Sequence, residues 1–401
     1  MNRIIASLAA STMLLSAGSA MAANHVVTAG DDAQERLQEA LIVAEPGDEV
    51  ILEDGVFVLT DGLSLDVDNV TVRGAGPDKT VLSFKEQQGA GEGLLVTSDN
   101  VVLRDFAVED TRGDGIKSKG ADQIVYYNIR VEWTGGPKET NGAYGVYPVE
   151  SENVLVDSVT VIGASDAGIY VGQSRNIIVR NSVARFNVAG IEIENSFNAD
   201  VYGNSAIRNT GGILVFDLPN LPQQGGHNVR LFDNIIAEND TPNFAPAGNI
   251  VASVPMGTGV MVMANHDVEI FDNVFNDNAS SNIMIIGYRR AYEDVNYNPM
   301  VRNVRISDNA HGKAGYDPQF DGGAMLAQAF GGTLPPIVWD GVGGEAAGMA
   351  SSDNVPVLSL GLETSDQPVE QAQPGLASLS GDATPVLPVI VLPEAMEAAI
   401  R

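Results

Sequence analysis

The chain has 401 residues, 52 acidic against 22 basic, a formal net charge of −30 and no cysteine. So negative a balance excludes a nucleic-acid partner, because a phosphate backbone is held by Lys and Arg that displace counterions. It also argues against docking on an anionic membrane surface, and the lack of cysteine excludes disulfides, thiolate metal sites and a thiol nucleophile.

Taken in chain order, Arg3, the mostly apolar stretch 4–15 and the small-x-small triplet Ala20-Met21-Ala22 predict a secretory signal peptide over residues 1–22, cut after Ala22. The apolar run is too short to span a bilayer. The expectation is a protein exported to the periplasm or the medium, with no membrane span after cleavage. Residues 31–44 predict an amphipathic helix with Leu37, Ala40, Leu41 and Ala44 on one face. Pro46-Gly47-Asp48 then turns the chain into a first strand at Val50, and the helix is placed to cap the N-terminal end of a stack of strands.

A repeat of about 22 residues organises the middle of the chain. Asn153, Asn176, Asn198, Asn228, Asp267 and Asn303 each lead a short alternating apolar run, at steps of 23, 22, 30, 39 and 36 residues. Asn187, Asn209, Asn239 and Asn278 form a second series, and Gly115, Gly145, Gly168, Gly190, Gly212 and Gly259 a third. Alternation over four or five residues gives strands rather than helices, and recurrent Asn and Gly suit left-handed turn positions. The pattern predicts an all-β chain, a right-handed parallel β-helix with three short strands per coil and an N-terminal capping helix. Its interior columns are Ile116, Val146, Ile169, Ile191, Ile213, Val260, Ile283 and, beside them, Ser118, Pro148, Val171, Ile193, Val215, Val262, Ile285.

The stretch LQEALIVAEPGDEVILEDGVF (37–57) resembles the entry cap of the pectin-lyase-like superfamily of right-handed β-helices. The runs GAYGVYPVESENVLV (142–156), SDAGIYVGQSRNIIVRN (165–181), VAGIEIENS (188–196) and NTGGILVFDLP (209–219) are similar to those of bacterial exported parallel β-helix repeat-containing proteins. The wider superfamily includes pectate lyases, polygalacturonases, alginate epimerases and lyases, and accessory proteins of nitrous oxide reductase. The resemblance covers about 270 residues and implies the fold; a fold hosts many functions. The sequence departs from the superfamily's catalytic sets. Gly113-Asp114-Gly115 offers one carboxylate where polygalacturonases have paired and triple aspartates, and no Asp-Pro-His-Glu run is present.

Residues 23–330 read as the capped β-helix and 331–401 as an acidic, Pro- and Ala-rich extension. From Asp340 onward there are nine acidic residues, one basic residue, six prolines and no aromatic residue. A linker is expected around 363–374, and an edge strand closing the last coil over 385–393.

Four insertions, 134–144, 217–226, 240–258 and 287–299, border the face that carries the Gly-led strands, and such loops usually build a solenoid's binding face. Its outward residues form two ladders. One runs Lys117, Tyr147, Tyr170, Glu192, Leu214, Met261, Met284; the other Lys119, Val149, Gly172, Glu194, Phe216, Met263, Ile286. The expected function is binding of a polysaccharide or cell-envelope glycan. Trp133, Tyr144 and Tyr147 offer flat faces for sugar rings, with Asp114, Asp166 and Lys119 beside them. If the site turns substrate over, Glu192, Glu194, Tyr170 and Lys117 are the expected catalytic groups. Two carboxylates two residues apart on a strand stand ~6–7 Å apart, which overlaps the spacing of inverting glycoside hydrolases. Lys117 and Lys119 would neutralise a uronate as a lyase or C5-epimerase requires. A third reading is an exported protein partner docking on Phe216, Met261, Met263 and the acidic tail. No cofactor motif is present. His227 and His266 align in the repeat without a third ligand, and calcium suits the carboxylates better, although its nonapeptide repeat is absent.

Overall fold

The 22-residue period becomes one coil of chain per repeat. A computed structural model describes residues 22–89 and 91–401, so the signal-peptide expectation lies outside the described residues. Among these, the strands form three sheets of 12, 12 and 10 strands that step in register from coil to coil, the architecture of a right-handed parallel β-helix. The Asn-led sheet contains Glu152–Asp157 and Arg175–Arg180; the Gly-led sheet contains Ala167–Gly172 and Ala189–Glu194; the third sheet is built of strands such as Val183–Arg185. Helix α1, Ala33–Val43, closes the N-terminal end with Leu37, Ala40 and Leu41 buried. Among the described residues no helix is long and apolar enough to cross a membrane.

The predicted interior columns are aligned by pairing: Val146 with Ile169, Ile169 with Ile191, Ile191 with Ile213, Ile213 with Val260 and Val260 with Ile283. Each of these aliphatics is fully buried and contributes roughly 1.5–3 kcal/mol, so the stack holds without disulfides.

Asn and Gly divide the turn work differently from the expectation. The leading Asn153, Asn176, Asn198 and Asn228 do sit at positive φ. At the second turn, however, the left-handed residues are Phe186, Arg208, Glu238 and Asp277, each immediately before a column Asn. The Asn side chains instead form a buried ladder. Asn187 Nδ2 donates to Asn209 Oδ1, Asn209 Nδ2 to Asn239 Oδ1 and Asn239 Nδ2 to Asn278 Oδ1, at 3.0–3.2 Å. The repeating glycines are required by close approach. A Cβ on Gly190 would lie 2.5 Å from the Gly212 carbonyl oxygen and 2.8 Å from Asn209 Nδ2. A second ladder, not foreseen, links Asn204, Asn234, Asn273, Asn309 and Asp353.

Ile337–Trp339 and Val357–Ser359 extend the Gly-led sheet, and Gly375–Ala377 pairs antiparallel at its end. No strand forms over 385–393. This segment runs back across the outside of the Asn-led sheet, over a charge column paired as Asp200, Arg230, Glu269 and Arg305. Backbone N–H groups of Leu387 and Ile390 donate to Glu269 and Asp200, and the Leu387 carbonyl accepts from Arg230. Leu392 near its end and Met396 after it cover Val125, Leu155 and Ile178, and Glu397 takes both Nη atoms of Arg180. Arg180→Ala is expected to cost about 1–3 kcal/mol. The loss stays moderate because Asp157, which also pairs with Arg180, keeps its bonds from Ser158 and Asn181. Chemical denaturation checks the value, and protease cleavage after the last coil should accelerate with it.

Candidate functional site

Coil stacking places Lys117 beside Tyr147, Tyr170 beside Glu192 and Glu192 beside Leu214, with Gly172, Glu194 and Phe216 aligned one step along. Tyr144, Tyr147 and Tyr170 pack ring against ring, with centroids 4.5–4.9 Å apart. Tyr144 and Tyr147 are partly buried and Tyr170 is buried. Tyr170 Oη donates to Glu194 Oε1 at 2.6 Å. That bond needs the glycine at 172, because a Cβ there would sit 2.3 Å from the Tyr170 ring and hydroxyl.

The carboxyl groups are unusually dry. Asp166, Glu192 and Glu194 are 5 %, 1 % and 7 % exposed. Burial, reinforced by the neighbouring Glu194, pushes the Asp166 carboxyl up to about 7. Burial does the same to Glu194, against the opposing hydrogen bond from Tyr170. Glu192 is raised well above the ordinary carboxylate range by burial and then by Glu194 and Asp166, and neither of its oxygens has a hydrogen-bond partner. Asp114 rises to about 6 through burial, which outweighs the pull of Lys117. Carboxyls that titrate near neutrality can both give and take a proton, and such groups make this cluster the candidate site. Burial also pushes Tyr147 up to about 12, so its hydroxyl remains a donor.

The loops roof this face rather than leaving it an open trench. Asn249, from the 240–258 insertion, donates to Asp166 Oδ2 at 3.0 Å, and Arg290, from 287–299, holds the carbonyls of Gly248 and Asn249. Val251, Val254 and Tyr297 pack on Leu214, Phe216, Met261, Met263 and Met284, all of which are buried. The apolar half expected to offer a partner surface is thus covered by the chain itself.

Three sequence-predicted groups fall elsewhere or are otherwise engaged. Trp133 is 4 % exposed within the interior cluster, its Nε1 donating to the Thr111 carbonyl, so it offers no ring to a ligand; the residue follows a short strand and turns inward. Lys119 is exposed and pairs with Glu150 at 3.7 Å. Lys117 lies 3.2 Å from Glu92 and 3.9 Å from Asp114, over the Tyr147 ring. Sequence reasoning missed Asn249, Tyr297 and Asp217. Asp217 is raised to about 6 by burial, with Gly226 N–H donating to it, and Tyr297 Oη donates to its carbonyl; its place directly after Phe216 in the ladder was the available signal. His227 and His266 do stack on adjacent coils at 5.1 Å, with Nδ1 of each facing Gly225 O or Asp267. Among the described residues no three His, Cys, Asp or Glu side chains converge to hold a metal ion.

Several solved structures are similar to this chain. The A-module of the Azotobacter vinelandii mannuronan C-5 epimerase AlgE4 is 17 % identical over 74 % of this chain and 92 % of its own, with a TM-score of 0.49. The alginate lyase of Paenibacillus sp. FPU-7 is 15 % identical over 72 % and 86 %, at 0.45. Pre-mature gene product 12 of bacteriophage phi29 is 14 % identical over 81 % of this chain and 47 % of its own, at 0.50. At such identities the likeness concerns fold alone. No curated protein matches the chain. The family model described as right handed beta helix region matches residues 54–221, and that stretch of the chain is accordingly a right-handed β-helix region.

Proposed function

We propose that this chain is an exported β-helix protein that binds a glycan on the Gly-led face, at the tyrosine platform beside Asp114, Lys117 and Asp166. The observation that carries the reading is the packing of Tyr144 and Tyr147, both partly buried, against buried Tyr170. It supplies flat apolar faces with polar rims, next to carboxyls and beside the inserted loops. Calorimetry against a panel of neutral, acidic and amino oligosaccharides tests it. Tyr147→Ala, at a partly buried position, is expected to weaken binding roughly ten-fold, about 1–2 kcal/mol, and to lower the melting temperature modestly through the lost ring packing. Absence of binding to every member of the panel would refute the reading.

The Tyr170–Glu194 bond favours a second reading, in which the bound sugar is also turned over. A carboxyl held to about 7 and bonded to a tyrosine suits proton transfer at neutral pH. New reducing or unsaturated ends in the same panel would reveal it. Glu194→Gln should then abolish the product while leaving affinity within about threefold.

A further inference from the structure

The strand that precedes helix α1, Asn24–Val27, opens the Asn-led sheet and pairs with Glu49–Leu52, Asn24 lying beside Glu49. The two residues before it, Ala22 and Ala23, are exposed, and the triplet Ala20-Met21-Ala22 predicts a cut between them. Ala23 is nevertheless fixed through both of its backbone polar groups. Its carbonyl accepts from the Glu49 N–H at 2.9 Å, and its own N–H donates to Asp48 Oδ1 at 2.7 Å. Asp48 is only 7 % exposed. Its Oδ2 accepts from the Glu45 N–H at 2.9 Å and lies 2.8 Å from His25 Nε2, whereas Oδ1 has Ala23 as its one donor among the described residues. The charged and titratable groups around the pair are His25 on the same strand, Glu45 in the turn, and Glu49, which is engaged with Arg73. Among the described residues no Lys or Arg pairs with Asp48. One oxygen of a nearly buried carboxylate is thus given over to the nitrogen that the predicted cut would free.

We propose that the chain is hydrolysed between Ala22 and Ala23 by a peptidase of the export route, and that Asp48 binds the α-ammonium group so released, clamping the first strand onto the end of the solenoid. In that step the C–N bond breaks and the oxygen of one water bonds to the Ala22 carbonyl carbon. Ala22 leaves as a carboxylate, and both protons of the water end on the Ala23 nitrogen. The geometry needs no change; the neutral donor becomes a charged one, and a hydrogen bond between charged partners is the stronger kind. The precursor therefore closes its first coil less firmly than the mature chain. An ammonium held by a carboxylate keeps its proton to higher pH than a free one. Its contribution to stability is complete below the ordinary α-amino value, ~7.7–8.0, and is lost as pH rises through the raised one.

The experiment compares the mature chain, recovered from an exporting bacterium, with the same chain carrying Gly-Ser ahead of Ala23. The extension keeps the Ala23 N–H and Asp48 but moves the charge away. The intact mass of the exported chain is expected to be that of residues 23–401. Its α-nitrogen, followed by 15N NMR, should titrate at about pH 9 or above, and near 8 in Asp48→Asn. At pH 7 the mature chain should melt about 2 °C or more above the extended one, and the gap should close by about pH 10.5. The extended chain retains Asp48, so the comparison stands even if Asp48→Asn does not fold. A first residue other than Ala23 overturns the proposal. So does an α-nitrogen that titrates near 8 in the mature chain, and so do equal melting points of the mature and extended chains at pH 7.

Discussion

Asn209→Ala is expected to destabilise the chain by about 4 kcal/mol or more, among the largest effects of any single substitution outside the aliphatic core. The Asn209 side chain is fully buried and makes four hydrogen bonds. Its Oδ1 accepts from the backbone N–H and the Nδ2 of Asn187, and its Nδ2 donates to the Ala184 carbonyl and to Asn239 Oδ1. Alanine leaves two donors and two acceptors without these partners in a dry turn, each costing about 1–3 kcal/mol, less whatever relaxation recovers. The damage should spread along the ladder, since Asn187 and Asn239 orient each other only through Asn209. Asn209→Asp, of nearly the same shape, separates bonding from volume. It keeps the acceptor but removes the amide donor and adds a buried carboxyl, so its loss should exceed alanine's above pH 7 and shrink in acid. Urea denaturation of both variants at pH 5 and pH 8 checks the order.

Stability is expected to fall as pH rises from about 5 to 8, opposite to the trend of a protein whose carboxylates are salt-bridged. Asp166 and Glu194 are raised to about 7 and Asp114 and Asp217 to about 6, in each case chiefly by burial, and burial likewise raises Glu192 well above the ordinary carboxylate range. In the unfolded chain these groups lose their protons near pH ~4. Between that value and the folded one the native state holds more protons than the unfolded state, so the free energy of unfolding decreases with pH. The stabilising proton is fully present below the unfolded value and lost above the folded one. The proton that burial favours on Glu192 adds to the same downward slope, because the unfolded chain has already released it. Asp48, held down to about 2 chiefly by the Glu45 and Ala23 backbone N–H groups, is ionised across this range and does not offset the trend. Glu192→Gln should therefore flatten the slope, stabilising the chain more at pH 8 than at pH 4.5. Thermal or urea unfolding across pH checks the slope in both proteins.

The interior of the solenoid was readable because a constant coil length carries the period-2 alternation from Ile116 to Ile285 without loss of phase. The same logic gave the outward ladders that join Tyr147, Tyr170 and Glu192. It failed wherever position depends on something other than phase. Trp133 follows a regular strand but its ring turns inward, which spacing does not reveal. Glu92 lies about one coil before Lys117, so the pairing that occupies this lysine was available from register but fell in the irregular early coils. The roof over Met261 and Met263, and Asn249 within it, depends on inserted loops whose conformation no repeat specifies. The C-terminal strap is legible only afterwards, in the charges of Asp200, Arg230, Glu269 and Arg305 at one outward position of successive Asn-led strands. A solvated strand face carries such charges as readily as a covered one, so the pattern alone does not announce a strap.

Carboxyl-carbon NMR of the glutamate and aspartate side chains, titrated from pH 4 to 9 and assigned with Glu192→Gln, Glu194→Gln and Asp166→Asn, tests most directly whether stacked coils build a proton-holding site. Midpoints near 7 for Glu194 and Asp166, with that of Glu192 also raised well above the ordinary carboxylate range, are the result the arrangement requires. Midpoints near 4 for all three, unchanged when any one of them is replaced, would mean that these groups are solvated and apart, and the site would not exist.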